Sequence, residues 1–162
     1  MDLSHELLIL LWYAVGFSYS LFAGLIIWYT HKYLYYKFHK VESIGWRSSY
    51  TGLIERGLYT GALLADYPAF VGIWLTLKSV SHWERFKADA KLGNGEATAK
   101  FNGYFVDTGL SIAYGFAGNF ITRNLIGCQY KPAIALAVGL VVVHLILNRF
   151  IKSKAMKEER SV

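Results

Sequence analysis

The chain has 162 residues, 54% of them apolar, a net charge of +6 and a mean hydropathy of +0.30. Its one cysteine, Cys128, excludes an intrachain disulfide and any cysteine-based metal or redox motif. The positive charge lies in the connections and the C-terminal tail, so it is read as attraction to anionic lipid headgroups and not to nucleic acid.

The apolar residues fall in four blocks of about 20, the length needed to cross about 30 Å of hydrocarbon. Tyr and Trp gather at the block ends, where membrane proteins place them. The expected fold is therefore all-α: a polytopic membrane protein with about four transmembrane helices in a bundle, forming one domain over residues 1–162. The first span is expected near 7–29. Ser4 can cap it, and Glu6 suits the positive helix start. No Lys or Arg precedes it, so it is expected to be a retained span and not a secretory signal. Gly16, Ser20 and Gly24 form a small-residue stripe along it. The aromatic and basic run after Trp28 is expected to carry this helix into the headgroup zone, towards Lys40.

The second helix is expected over 52–78. Glu55, Tyr59, Ala62 and Asp66 share one face of it by helical spacing. Gly57, Gly61, Ala65 and Ala69 form an adjacent helix-packing stripe. Pro68 removes one backbone hydrogen bond and is expected to kink this helix just after Asp66. Ser81-His82-Trp83-Glu84 has the form of a capping box, which predicts a short interfacial helix near 82–91. Gly93-Asn94-Gly95 then marks a turn. The third span, 101–123, is polar and rich in small residues, with Asp107, Ser111, Tyr114 and Gly118 on one face. The fourth, 132–151, begins at Pro132 and is apolar apart from His144. A basic tail, 152–162, follows.

Ionisable groups at membrane depth cost about 2.5–3.5 kcal/mol each and usually find partners or a wet cavity. The candidates for ion pairs or a polar path are Glu55, Arg56, Asp66, Lys78, Asp107, Arg123 and His144. Antiparallel neighbours at matched depth predict Glu55 with Arg123, and Lys78 with Asp107. Asp66 is then expected at mid-span. There it is either a proton- or cation-handling group with His144, or a neutral or hydrogen-bonded core group beside a packed histidine. No metal site is expected: the five histidines lack chelating spacings. No catalytic elbow, phosphate loop or supported triad is present either, so no catalytic residue and no cofactor are expected.

Gly52-x-x-Glu55-Arg56, Gly72, Lys78-Ser79 and Thr108-x-x-Ser111 resemble a paired-helix pattern in certain uncharacterised bacterial membrane proteins. Asp107 stands where that pattern has Gly. The resemblance covers Gly52 to about Gly118 and implies a shared helix hairpin with no known activity.

The functional expectation is a small non-catalytic subunit, accessory to or scaffolding a larger complex in a prokaryotic cytoplasmic membrane. Its expected partners are lipids, anionic headgroups included, with other membrane subunits or self-association. The competing expectation is a small oligomeric transporter or channel for protons or cations. Four spans place both termini on one side, and the Lys/Arg balance weakly favours the cytoplasm. If the second stretch is instead a re-entrant hairpin bent at Pro68, only Arg123 and Lys131 remain outside.

Overall fold

A computed structural model of the chain describes residues 3–39, 47–90 and 96–159. They form five α-helices: α1 (Leu3–His39), α2 (Arg47–Leu64), α3 (Ala69–Ala90), α4 (Glu96–Ile126) and α5 (Tyr130–Glu159). At 1.5 Å per residue, α1 is about 55 Å long and α4 and α5 about 45 Å each. The Gly93-Asn94-Gly95 turn and residues 160–162 lie outside the described residues.

The stretch expected as one helix over 52–78 is two. α2 stops because Asp66 takes the left-handed conformation, φ 56°. The Tyr67 N–H then reaches back to the Ala62 carbonyl at 2.8 Å, and the Asp66 N–H to that of Leu63 at 3.2 Å. This paired pattern satisfies carbonyls that a helix end leaves open, and Pro68 just beyond it prevents the helix from resuming in line. Asp tolerates this backbone region better than most residues because its short polar side chain bonds locally. So the expected kink becomes a full reversal. Lys78 of α3 folds back onto Glu55 of α2, with Nζ 2.6 Å from Oε1, which makes the two helices antiparallel. The α4–α5 connection repeats the device at Cys128, φ 57°. There Gln129 N–H bonds the Asn124 carbonyl at 2.7 Å, and Cys128 N–H that of Leu125 at 3.1 Å.

α3 runs on to Ala90, so no separate interfacial helix begins at Ser81. The Ser81 hydroxyl donates instead to the Lys78 carbonyl, 2.9 Å away, inside the continuous helix. The capping box was a local signal that helix continuity overrode.

α4 is the central helix and contributes to each of three apolar clusters. With α1 and α5 it packs Tyr114 against Ala23 and Ile27, and Ile121 and Leu125 against Ala133. With α2 and α3 it sets Ile112 against Tyr59, Leu63 and Val71. Backbones meet closely where side chains are absent. A Cβ on Gly118 would lie 2.8 Å from the Gly16 carbonyl oxygen, and one on Gly115 would lie 2.7 Å from Tyr59 Cβ. The small stripe of α1 therefore meets α4. Gly57 and Gly61 of α2 sit at ordinary contact distance from Leu21 and Phe17 of α1, while Ala65 and Ala69 are exposed at the reversal.

α1 and α5 run parallel. The rings of Trp12 and Tyr130 lie 6.1 Å apart, and one heptad further along both helices Tyr19 hydroxyl donates to the Ala137 carbonyl at 3.0 Å. Leu3 and Glu159 thus lie at opposite ends of the bundle. The reversal at Asp66 gives five helices where four were expected, and so places the two ends apart. Among the described residues Ser4–Trp28 is the one segment long and apolar enough to cross a membrane. Ala69–Ser81 and Tyr130–Ile146 are shorter apolar segments.

Candidate functional site: a charged core between α1, α2, α3 and α4

The interior of the bundle holds a group of charged side chains. Glu55 and Arg56 are buried side by side on α2, at 1% and 2% exposure. Neighbouring residues on a helix point about 100° apart, so the two serve different partners.

Glu55 faces α3 and α4. Its carboxylate receives the Lys78 ammonium, 2.6 Å from Oε1 and 2.7 Å from Oε2. The same ammonium donates to Thr108 Oγ1 at 3.0 Å and lies 4.8 Å from the centre of the Tyr104 ring. The Lys78 side chain is 9% exposed, so the pair sits in a dry setting. There its Coulomb attraction is strong, but so is the cost of desolvating both ions.

Arg56 faces α1 and α4. Its Nη1 donates to Ser111 Oγ at 3.3 Å. Gly24 makes the space for it: a Cβ there would fall 2.0 Å from Nη2. Gly52, one turn earlier on α2, flanks Nη1. The backbone carbonyl of Arg56 lies 2.8 Å from the Thr60 hydroxyl, which is itself 2.9 Å from Ser20 Oγ. Asp107, half-buried on α4, and Glu55 are the acids whose charge reaches the guanidinium. Two acids and two bases therefore share this core, and their formal charges cancel. Arg56 Nε and the Tyr59 hydroxyl are buried with no hydrogen-bond partner among the described residues.

The remaining candidates lie elsewhere. Asp66 is not at mid-span beside His144. It is exposed at the α2–α3 reversal, where Arg123 Nη2 lies 2.5 Å from its Oδ1 and 3.1 Å from the Leu63 carbonyl oxygen. Arg123 Nε also donates to Asn119 Oδ1 at 3.0 Å. The expected pairs, Glu55 with Arg123 and Lys78 with Asp107, are thus exchanged for Glu55 with Lys78 and Asp66 with Arg123. The physical reason is the reversal, which brings α3 beside α2 and leaves Arg123 at the turn. His144 is buried against Tyr114, whose hydroxyl lies 3.3 Å from Nδ1. A cavity of about 370 Å³ opens at the turn end, lined by Tyr13, Leu64, Asp66, Arg123, Ile126 and Gly127.

The geometry around Asp66 gives a direct expectation. Asp66→Asn keeps a side chain suited to the left-handed turn and loses only an exposed ion pair, worth about 0–1 kcal/mol. Asp66→Val forces a β-branched residue into that region and should cost about 1–2 kcal/mol. Unfolding midpoints in detergent for the two variants check this, and equal midpoints would refute the turn geometry.

Sequence spacing found Glu55, Arg56, Lys78 and Asp107 but not their supporting shell. Tyr104 was missed, and Gly24 and Gly52 were noted only as a packing stripe and a pattern position, because their roles depend on which helix lies opposite. Thr108 and Ser111, drawn out by the paired-helix pattern, are the two α4 hydroxyls that meet the charges. No family model matches the chain, and neither curated proteins nor solved structures give a significant match.

Proposed function

We propose that this protein is a non-catalytic integral membrane protein that serves as an accessory or scaffold subunit of a larger membrane complex. The observation that carries the reading is its inverted partition. Glu55, Arg56 and His144 are buried, while large aliphatic and aromatic groups face outward on every long helix. Leu10 and Phe22 of α1, Leu77 of α3, Phe105 of α4 and Ile134 and Leu145 of α5 are each more than half exposed. In water such an exterior would aggregate, whereas in lipid it is solvated.

Charge supports an orientation. The turn end of the bundle is built from residues 3–12, 61–72 and 118–135. These stretches hold two of the chain's 17 Lys and Arg residues, Arg123 and Lys131. The opposite ends of the five helices, over 29–39, 47–51, 79–90, 96–105 and 147–159, hold ten. The positive-inside rule then puts the turn end outside the cytoplasm and the C-terminal tail within it. α1, α4 and α5 are long enough to span, and the α2–α3 hairpin packs on α4 as a shorter inserted unit.

A scaffold role fits a core in which Glu55 is held by Lys78 and Arg56 by Ser111, so that these polar groups dock α2 onto α3 and α4. Native mass measurement after mild detergent extraction at native expression level tests the role. The expected result is a stable complex with foreign subunits. The second reading, a small oligomeric transporter or channel for protons or cations, draws on half-buried Asp107, whose charge acts on Arg56. A homo-oligomer that conducts cations in vesicles would favour it and overturn the first.

A further inference from the structure

The surroundings of the Lys78 ammonium have the composition of a ligand site. A primary ammonium offers three N–H donors and a compact charge. Here it meets both oxygens of the Glu55 carboxylate at 2.6 and 2.7 Å, the Thr108 hydroxyl at 3.0 Å and the Tyr104 ring at 4.8 Å. Carboxylate, hydroxyl and aromatic face together are what proteins use to select an ammonium. All three come from α2 and α4, whereas the cation comes from α3. The buried Tyr59 hydroxyl, one turn from Glu55 on α2 and within its electrostatic reach, is a further polar group with no partner among the described residues.

The helix that delivers the cation is held differently from the rest. α3 joins α2 through the exposed residues 65–69, where Asp66 is left-handed and Pro68 breaks the helix. Its inward contacts are Val71, Trp74, Leu75 and Lys78, while Gly72, Ile73, Thr76 and Leu77 face out. Lys78 is the charged one of those inward residues.

We propose that Glu55, Thr108 and the Tyr104 ring form a binding site for a small primary amine in its ammonium form, and that α3 is a hinged plug whose Lys78 fills this site in the closed state. Displacing Lys78 leaves α3 free to swing on residues 65–68 and admits a free alkylammonium to the same three groups. This holds whether or not the chain is a scaffold, which native mass tests separately.

Lys78→Ala removes the equivalent of propylammonium, so propylammonium chloride is the probe, with potassium chloride at equal ionic strength as the control. Purified Lys78→Ala should gain several degrees in unfolding midpoint, saturably, with propylammonium and not with potassium or tetramethylammonium, which have no N–H to donate. The gain should vanish in Lys78→Ala/Glu55→Gln. If Lys78→Ala does not fold, Lys78→Met keeps the stem, and ammonium chloride should raise its midpoint in the same Glu55-dependent way. No gain over potassium in either variant, or an equal gain with Gln at 55, overturns the site. In the unaltered protein propylammonium should speed amide exchange across 69–81 several-fold, relative to potassium, and unchanged exchange overturns the plug.

Discussion

Lys78→Ala and Glu55→Ala should each destabilise the folded bundle by about 3–5 kcal/mol, the cost of stranding one buried charge without its partner. The distances leave little room for substitution by solvent. Nζ is within 2.7 Å of both carboxylate oxygens, and the side chains are 9% and 1% exposed. Removing both charges is a different experiment. Lys78→Met with Glu55→Leu replaces the pair by apolar groups of similar volume, and such exchanges are often neutral or stabilising by about 1–4 kcal/mol. The double variant should therefore unfold at a higher denaturant concentration than either single alanine variant. SDS or thermal unfolding in mild detergent measures the cycle. Additive losses would mean that the two groups do not interact, which the geometry forbids.

Gly118→Leu should have an effect of comparable size. A Cβ at 118 would lie 2.8 Å from the Gly16 carbonyl oxygen and 3.1 Å from Ser20 Cβ, with Thr60 Cγ2 at 3.2 Å. The nearest of these is backbone, so relief requires α1 and α4 to separate. Overpacking costs about 1–3 kcal/mol where side chains can yield, and this contact should exceed that range. Separation would also pull Ser20 from Thr60 and loosen the pocket around Arg56. Gly61→Leu is the informative contrast. There the nearest atom is Phe17 Cζ at 3.5 Å, an ordinary contact, so the loss should be clearly smaller. Equal losses at 61 and 118 would place the tight crossing on α2 and contradict the packing described.

The helical class and the apolar first and last helices were legible because long apolar runs have one reading in lipid and few in water. The charged core was legible in part: Glu55, Arg56, Lys78 and Asp107 stand out as ions in apolar surroundings. Their partners were not, because pairing by depth assumed one helix from 52 to 78. The fact that decides the pairing is the conformation of Asp66. Asp is permitted there but does not announce it as Gly would, and Pro68 alone signals a kink as readily as a reversal. The second reversal, at Cys128, was expected from the short link between the third and fourth spans, with Pro132 as the start of the fourth. Ser81 misled because a cap signal is local, and the continuing helix costs nothing that the cap would have saved. Gly16 and Gly24 were seen as a stripe, yet their roles differ: one admits the α4 backbone and the other a guanidinium. Only the opposite surface distinguishes these.

Cys128 provides the direct test of the membrane-spanning bundle. It is the chain's one cysteine, exposed in the α4–α5 turn. In intact cells a membrane-impermeant maleimide should label Cys128 from outside. In a Cys128→Ser background, Ser4→Cys should label from the same side, because α1 begins at the turn end. Ser153→Cys, about 36 Å away along α5 by helical rise, should label only after the membrane is opened. Labelling of Ser4→Cys and Ser153→Cys from one side would contradict the parallel course of α1 and α5 across a membrane, and so would recovery of the protein in the aqueous fraction.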